Sequence, residues 1–559
     1  MTAEPQDSVR GGFRTHEPAN LVTDLIDYNL YSSDLALQDA VRRQGAAARE
    51  PELLKYGALL GSAAVIGAAD ASHRHPPELH SFDRQGRRID RVEFHPGWHA
   101  VMRLQREHGL VTQPFSDSRP GAWTAYAAGF MMHAQIEPGS QCPASMTFAS
   151  VPVLQKEPAL FAQIKDQLYA CEYDERDLPL SQKQSIWIGM GMTEKQGGSD
   201  VRANTTRAIP VAGEGRGAAY ELVGHKWFFS APMCDAHLVT ARTAKGLSCF
   251  FVPRFRPDGS NNPIHIQRLK DKVGNRSNSS SEVEFQGAYG IMIGEEGRGI
   301  PTIIEMATYT RLNCVMGAAG LTRQCVVQAI HYARQRKAFG KLLVDQPLMR
   351  NVLADMALES EAATHLMMRL TQAFAHAGEG SLEGAYKRIV TPAAKLWVAK
   401  RSIELSAEAM EVFGGNGYVD DGPMGRLFRE SPVISIWEGS GNVMALDMLR
   451  AIAHEPAAVD ALLTDLHRML HGDSAALRVL ESFQTDLRAH STDALESQAR
   501  RYAQRLVLLL QAGLMRECAP TEIADAFIES RFDAEWGRMF GLLAHDESQT
   551  RIIARAFPT

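Results

Sequence analysis

Five short segments of this 559-residue chain carry residue types that could do chemistry. The first is Ile436-Trp-Glu-Gly-Ser-Gly-Asn442. A carboxylate between a tryptophan and a glycine-rich turn has its pKa raised by apolar surroundings, which suits Glu438 to general-base work. The glycines and Ser440 leave backbone N–H groups free for an anion. A glutamate at a helix N-terminus, favoured by the macrodipole, reads the same way. The second is Met192-Thr-Glu-Lys-Gln-Gly-Gly-Ser-Asp-Val201, where Gly197 and Gly198 admit close backbone approach and Thr193 and Ser199 offer hydroxyls to an electron-rich ring or a phosphate. A polar loop between strands fits equally. The third, Gly224-His-Lys-Trp-Phe-Phe-Ser230, could wall a flat ligand or pack a β core. The fourth, Arg336-Lys-Ala-Phe-Gly340 with Gln346, offers an arginine to a pyrophosphate, or a solvated helix end. The fifth, Gly414-Gly-Asn-Gly-Tyr418, could cradle phosphate or simply stop a helix.

The elements that must position these segments change texture along the chain. Residues 1–20 read as a loose arm, and 21–184 as helical, with Ser33 before an apolar-periodic run and Trp123–His133 a small-residue helix. From 185 to 292 come short β-rich runs, among them Ser185–Met192, Tyr220–Val223, His237–Ala241, Leu247–Val252 and Ser281–Phe285. Turn residues separate them, which predicts an antiparallel β domain. Helical periodicity returns over 293–450. There Thr391 and Pro392 predict a helix start, and Leu396, Ala399, Ile403, Ala407 and Met410 predict one buried face. Residues 451–559 continue as a helical extension. The fold class is therefore α+β multidomain: helical, β, helical, with a further helical segment.

Composition sets bounds. Apolar residues make up 45 % and charged residues 22 %, ordinary for a folded soluble chain. A net charge of −6 does not mark a nucleic-acid binder. Seven scattered cysteines without a CxxC pair argue against disulfides or zinc and for reduced, buried thiols. His95 and His99 are spaced i,i+4, but Pro96 follows the first and no glutamate lies between, so capping and packing are expected. Met1–Asn20 lacks the apolar core of a signal peptide, and the longest nearly apolar run, Gly57–Ala69, is short for a membrane span. These features predict a cytoplasmic protein with no membrane association and no metal.

The order of the five motifs, in a helical–β–helical layout from about 100 to 450, resembles the acyl-CoA dehydrogenase family. The resemblance implies that family's fold, with a C-terminal four-helix bundle, and FAD between the β domain and the helices. By similarity, Met190, Met192, Thr193, Gly198, Ser199, Phe228, Phe229 and Ser230 would hold the isoalloxazine ring and ribityl chain. Trp437, Ser440 and Asn442 would flank the cofactor beside the catalytic turn. Arg336, Gln346, Gly414 and Gly415 would reach the FAD of a neighbouring subunit, implying an oligomer, usually a tetramer. Glu438 matches the family's base for α,β-dehydrogenation of an acyl-CoA thioester; at the alternative base position this chain has Thr310. Trp437, where tyrosine is common, and the segments His95–His99, Ala144–Ala149, His225–Phe229 and Leu269–Asn278 resemble the branch tied to the adaptive response to DNA alkylation. That branch implies weak dehydrogenation and a basic C-terminal extension that binds duplex DNA. Residues 451–559 depart from it. They hold eleven arginines, no lysine and sixteen acids, a net charge of −5. Arg500, Arg501 and Arg505 are the candidate stripe for phosphate contacts, and a mixed-charge solvated helix is the alternative.

Overall fold

The computed structural model describes residues 15–378, 381–532, 537, 539–544 and 547–558, so most of the expected N-terminal arm lies outside the described residues. One-turn helices are left unlabelled below. The N-terminal region contains α1 (Leu35–Arg43), α2 (Glu50–Leu60), α3 (Ala63–Arg74), β1 (Glu78–Phe82), β2 (Arg88–Glu93), α4 (Pro96–Glu107), α5 (Ala122–Ile136), α6 (Gln141–Leu154) and α7 (Pro158–Tyr169). Asp34, not Ser33, caps α1, by accepting from the Leu37 N–H. The β1–β2 hairpin corrects the all-helical reading of this stretch. His95 caps α4 by accepting from the Gly97 N–H, and His99 hydrogen-bonds Tyr173, as capping and packing required. No single helix is long and apolar enough to cross a membrane. One pair, 47–60 with 63–74, passes such a test together but is bent by 60°.

The β domain comprises β3 (Ile188–Gly191), β4 (Arg207–Ala212), β5 (Ala219–Ser230), β6 (Ala236–Thr243), β7 (Gly246–Pro253), β8 (Ile264–Leu269) and β9 (Ser280–Ile293). Strands pair in the order β3-β6-β4-β5-β9-β7, β6 also pairs with β7, and β8 lies on β9. The circuit thus closes on itself around Phe229, Phe250 and Phe285. Most pairs are antiparallel as expected, but β3 runs parallel to β6, so the sheet is mixed. That parallel pairing carries the end of β3, and the polar loop after it, to the edge that faces the helices.

The C-terminal half holds α8 (Gly299–Ala333), the small hairpin β10 (Lys337–Ala338) and β11 (Lys341–Leu342), α9 (Pro347–His376), α10 (Thr391–Val412), α11 (Pro423–Ile436) and α12 (Gly441–His454). Thr391 is the first residue of α10 and Pro392 lies in its first turn, as expected, but Thr391 is not its cap. A helical turn capped by Ser381 and a π turn, Tyr386–Val390, run straight into it. Pro392 has no N–H to donate, and a π turn beside it accommodates the broken ladder. Of the expected buried face of α10, Leu396 and Ala399 are buried and Ile403 and Met410 partly so, but Ala407 is exposed, and Ser402, Leu405 and Ala409 are buried instead.

The extension contributes α13 (Pro456–Met469), α14 (Ser474–Ala489), α15 (Ala499–Cys518), α16 (Thr521–Phe532) and α17 (Ser548–Ala556). It is not an appendage. Helix α15 packs on α9, α10 and α12, and its residues from Leu506 to Met515 belong to the same buried core as the bundle. Of the seven cysteines five are buried, while Cys171 is exposed and Cys518 partly so; all are free thiols.

Candidate active site

A cavity of about 540 Å³ opens between the β3 edge, the start of α6, the middle of α8 and the end of α11. That volume is within the range of small-molecule and cofactor sites. Ten residues named from sequence line it: Met190, Met192, Thr193, Gly198, Ser199, Phe228, Ser230, Trp437, Glu438 and Ser440.

The loop after β3 is anchored from below. Lys226 donates to Glu194 at 2.9 Å, and both side chains are fully buried. Burial alone would raise the Glu194 carboxyl. The Lys226 ammonium, with the Thr205 N–H and the Thr206 N–H, instead holds it down at about 2, so the pair stays ionised. A buried pair is retained only when such extra donors satisfy it. This pins Thr193–Ser199 against β5 and turns the Phe228 ring, 51 % exposed, toward the cavity.

The turn that carries Glu438 is held by two cations. Lys395 donates to the carbonyls of Trp437 (2.7 Å) and Gly439 (2.6 Å). Arg311 Nε donates to the Glu438 carbonyl at 3.0 Å, and its Nη1 pairs with Asp447 at 2.7 Å. Three successive carbonyls are thereby engaged by cations. The N–H groups of Glu438, Gly439 and Ser440 have no backbone acceptor among the described residues. This conformation requires the left-handed region, with φ +58° at Glu438 and +106° at Gly439. A non-glycine residue there is strained, and such strain clusters at functional sites. At Gly439 a Cβ would also meet Met444 Cε at 2.5 Å.

Glu438 itself sits half-buried. Burial pushes its carboxyl above the usual range, opposed by a hydrogen bond from Thr310 Oγ1 to Oε2 (2.6 Å) and by the charges of Arg311 and Lys395. Burial likewise pulls the Lys395 ammonium down to about 8. The two positions that the sequence offered for a base thus face each other, and only one bears a carboxylate.

Six residues named from sequence do not line the cavity. Phe229 is fully buried in the β core, stacked on His237 at 3.9 Å between ring centroids, because side chains alternate along β5. Asn442 Oδ1 accepts instead from Arg500 Nε at 2.8 Å. Arg336 donates to the Asn20 carbonyl, and Gln346 to the Ala338 carbonyl at 3.0 Å. Gly414 and Gly415 form the turn after α10, where Asn416 reaches Tyr332 at 3.1 Å; together with the β10–β11 hairpin they make a separate surface. The sequence reading missed Lys395, whose one signal was a lysine among buried positions of α10. It also missed Cys142, Lys272, Asn275 and Glu430, which line the cavity from α6, the loop before β9, and α11.

Such a cavity, with an aromatic ring on one wall, hydroxyls around it and a strained turn presenting N–H groups beside a carboxylate, fits a flat redox ring with a polar tail. Three family models match in chain order: the adaptive response protein AidB N-terminal domain over 20–175, the acyl-CoA dehydrogenase middle domain over 189–288, and the acyl-CoA dehydrogenase C-terminal domain over 297–453. The chain belongs to the acyl-CoA dehydrogenase family and is an FAD-dependent oxidoreductase of that type. Within the family it is of the AidB kind. It is 45 % identical to the putative acyl-CoA dehydrogenase AidB of Escherichia coli, over 94 % of this chain and 96 % of that one. It is 30 % identical to acyl-CoA dehydrogenase family member 11 of Caenorhabditis elegans, over 67 % of this chain and 62 % of the relative. Among solved structures, the apo form of Bd2924 superposes with a TM-score of 0.81 at 30 % identity, over 89 % of this chain and all of that one. The Caenorhabditis elegans ACDH-11 complex with C11-CoA superposes at 0.84 over 98 % of this chain and 94 % of that one; its 24 % identity speaks for the fold alone.

Proposed function

We propose that this protein catalyses α,β-dehydrogenation of an acyl-CoA thioester, with Glu438 as the base. The carrying observation is the turn in which Lys395 and Arg311 occupy three carbonyls while Glu438, Gly439 and Ser440 line the cavity with N–H groups that take no backbone acceptor among the described residues. The α proton of the thioester goes to Glu438. The Glu438 N–H is a preorganised donor for the enolate oxygen, which needs such a donor in a site shielded from water. Bound FAD supplies the hydride acceptor. Met190, Met192, Thr193, Gly198, Ser199, Phe228 and Ser230 would hold its ring and ribityl chain, with Trp437 and Ser440 beside the turn. Arg500 takes Asn442 away from that role. The test is an anaerobic screen of acyl-CoA thioesters for bleaching of the flavin. Bleaching by one of them supports the reading; none across short, long, branched and cyclic chains would sink it.

Arg336, Gln346, Gly414 and Gly415 would complete the FAD site of a second subunit in a tetramer. Their surface supports this: Phe339 at the tip of the hairpin is 99 % exposed and Tyr418 is 84 % exposed. Light scattering of Phe339→Asp should show smaller particles that have lost FAD.

A second reading, a role in the DNA-alkylation response with duplex binding in the cytoplasm and weak dehydrogenation, draws on the kinship with AidB. The proposed arginine stripe gives it little. Arg500 is bonded to Asn442, and Arg505 pairs with Asp486 at 2.7 Å. Arg501, exposed, donates to Gln498. Duplex binding across a salt titration decides between the readings. Deleting 451–559 is unsuitable because α15 shares the bundle core, so the comparison is with Arg501→Ala. Steep salt dependence that weakens in Arg501→Ala supports the DNA role; no binding at low salt removes it.

A further inference from the structure

The cavity has a second polar end that the dehydrogenation chemistry does not use. Glu430 lies on α11, two helical turns before the turn that carries Glu438. It is 2 % exposed and lines the cavity. Asn275 donates to it twice, from its backbone N–H to Oε1 at 2.8 Å and from its side-chain amide to Oε2 at 3.3 Å. Burial, reinforced by Glu137, pushes this carboxyl up to about 7, so a good share of it carries a proton at neutral pH. Arg429 can only donate, so His73 Nε2, at 3.4 Å from it, accepts. The His73 Nδ1–H then points at Glu430 Oε1 from 3.6 Å, again on the acceptor side of the carboxyl.

Lys272 stands on the same wall. Its ammonium donates to the Asn278 carbonyl at 2.5 Å, the one hydrogen bond it makes among the described residues, and burial pulls it down to about 8. No ion pair within 4.0 Å joins it to Glu430. Lys272 therefore keeps two N–H donors on a cavity wall that Asn275 and Glu430 also line. A half-buried ammonium with one partner leaves donors for an acceptor inside the cavity.

We propose that Lys272, Asn275 and Glu430 form a subsite for an oxygen-bearing group at the end of the acyl chain remote from the thioester. The substrates are then acyl thioesters ending in a hydroxyl or keto oxygen rather than plain hydrocarbon chains. This rests on the dehydrogenase reading for the placement of the thioester at Glu438. An acceptor oxygen in that subsite takes a Lys272 donor that a methyl group would leave without a partner. Sites built to hydrogen-bond an oxygen discriminate strongly against the analogue lacking it.

The test uses the holoenzyme and non-oxidisable thioether analogues of acyl-CoA in matched pairs, one chain plain and one ending in a hydroxyl or keto group. Binding is followed by the perturbation of the flavin absorbance. The oxygenated member should bind about tenfold tighter or better, the scale of one buried hydrogen bond. That ratio should collapse toward one in Lys272→Met and fall in Glu430→Gln. Equal binding of the pair by the wild type overturns the proposal. So does a ratio unchanged in Lys272→Met accompanied by a shifted flavin potential, which would put the ammonium on the cofactor. Because the analogues need no proton abstraction, failure of Glu438 as a base shows only in turnover and leaves this measurement standing.

Discussion

Two regions of this molecule spend cations in opposite ways. At the Glu438 turn, Lys395 and Arg311 are buried and bond to backbone carbonyls, beside a left-handed Glu438 that lines the cavity. In the extension, arginines meet carboxylates near the surface: Arg505 with Asp486, Arg516 with Asp473 and Asp525, Arg468 with Asp465. The first arrangement shapes a site. The second neutralises charge that phosphate would otherwise use. Charge alone therefore does not locate function; what the charge is bonded to does.

That contrast can be broken or sharpened, starting with the largest effect. Glu438→Gln should lower turnover by about 10²–10⁴-fold, the range of a lost general base, while the protein stays folded and yellow. Steady-state kinetics and a visible spectrum check it. Lys226→Met strands the buried Glu194 carboxylate beneath the flavin loop and should cost about 3–5 kcal/mol in denaturant unfolding. Thr310→Val removes a hydrogen bond that favours ionised Glu438. The carboxyl, already raised by burial, should rise further, so the alkaline-going limb of the pH–rate profile moves to higher pH. An unchanged limb would mean that the base is another group. Arg505→Ala, in a partly exposed pair, should cost at most about 1 kcal/mol and leave turnover alone.

Much of this site was legible because its motifs are local. Residues 436–442 and 192–199 each act within a few positions, and glycine, hydroxyl and carboxylate announce the backbone they need. What escaped was long-range. Lys395 looks like any helical lysine until α10 is laid behind the 437–439 turn, and Glu430 looks like a solvated acid until the loop around Asn275 closes over it. Phe229 was misread because the phase of β5 decides which of two adjacent phenylalanines faces the cavity. The helical N-terminal reading missed β1 and β2, since Glu78–Phe82 and Arg88–Glu93 carry little apolar alternation and fold as a mostly exposed hairpin. For the arginine stripe, the partners of Arg500 and Arg505, Asn442 and Asp486, come from other helices and are invisible to local spacing.

The most direct test of the central claim is hydrogen exchange at the α carbon. Acyl-CoA substrate is incubated anaerobically in D₂O with holo wild type and Glu438→Gln, and deuterium at the α position is read by mass spectrometry. Uptake catalysed by the wild type and absent in the variant is the expected result. Exchange that persists undiminished in Glu438→Gln would show that the proton goes elsewhere and would contradict the account.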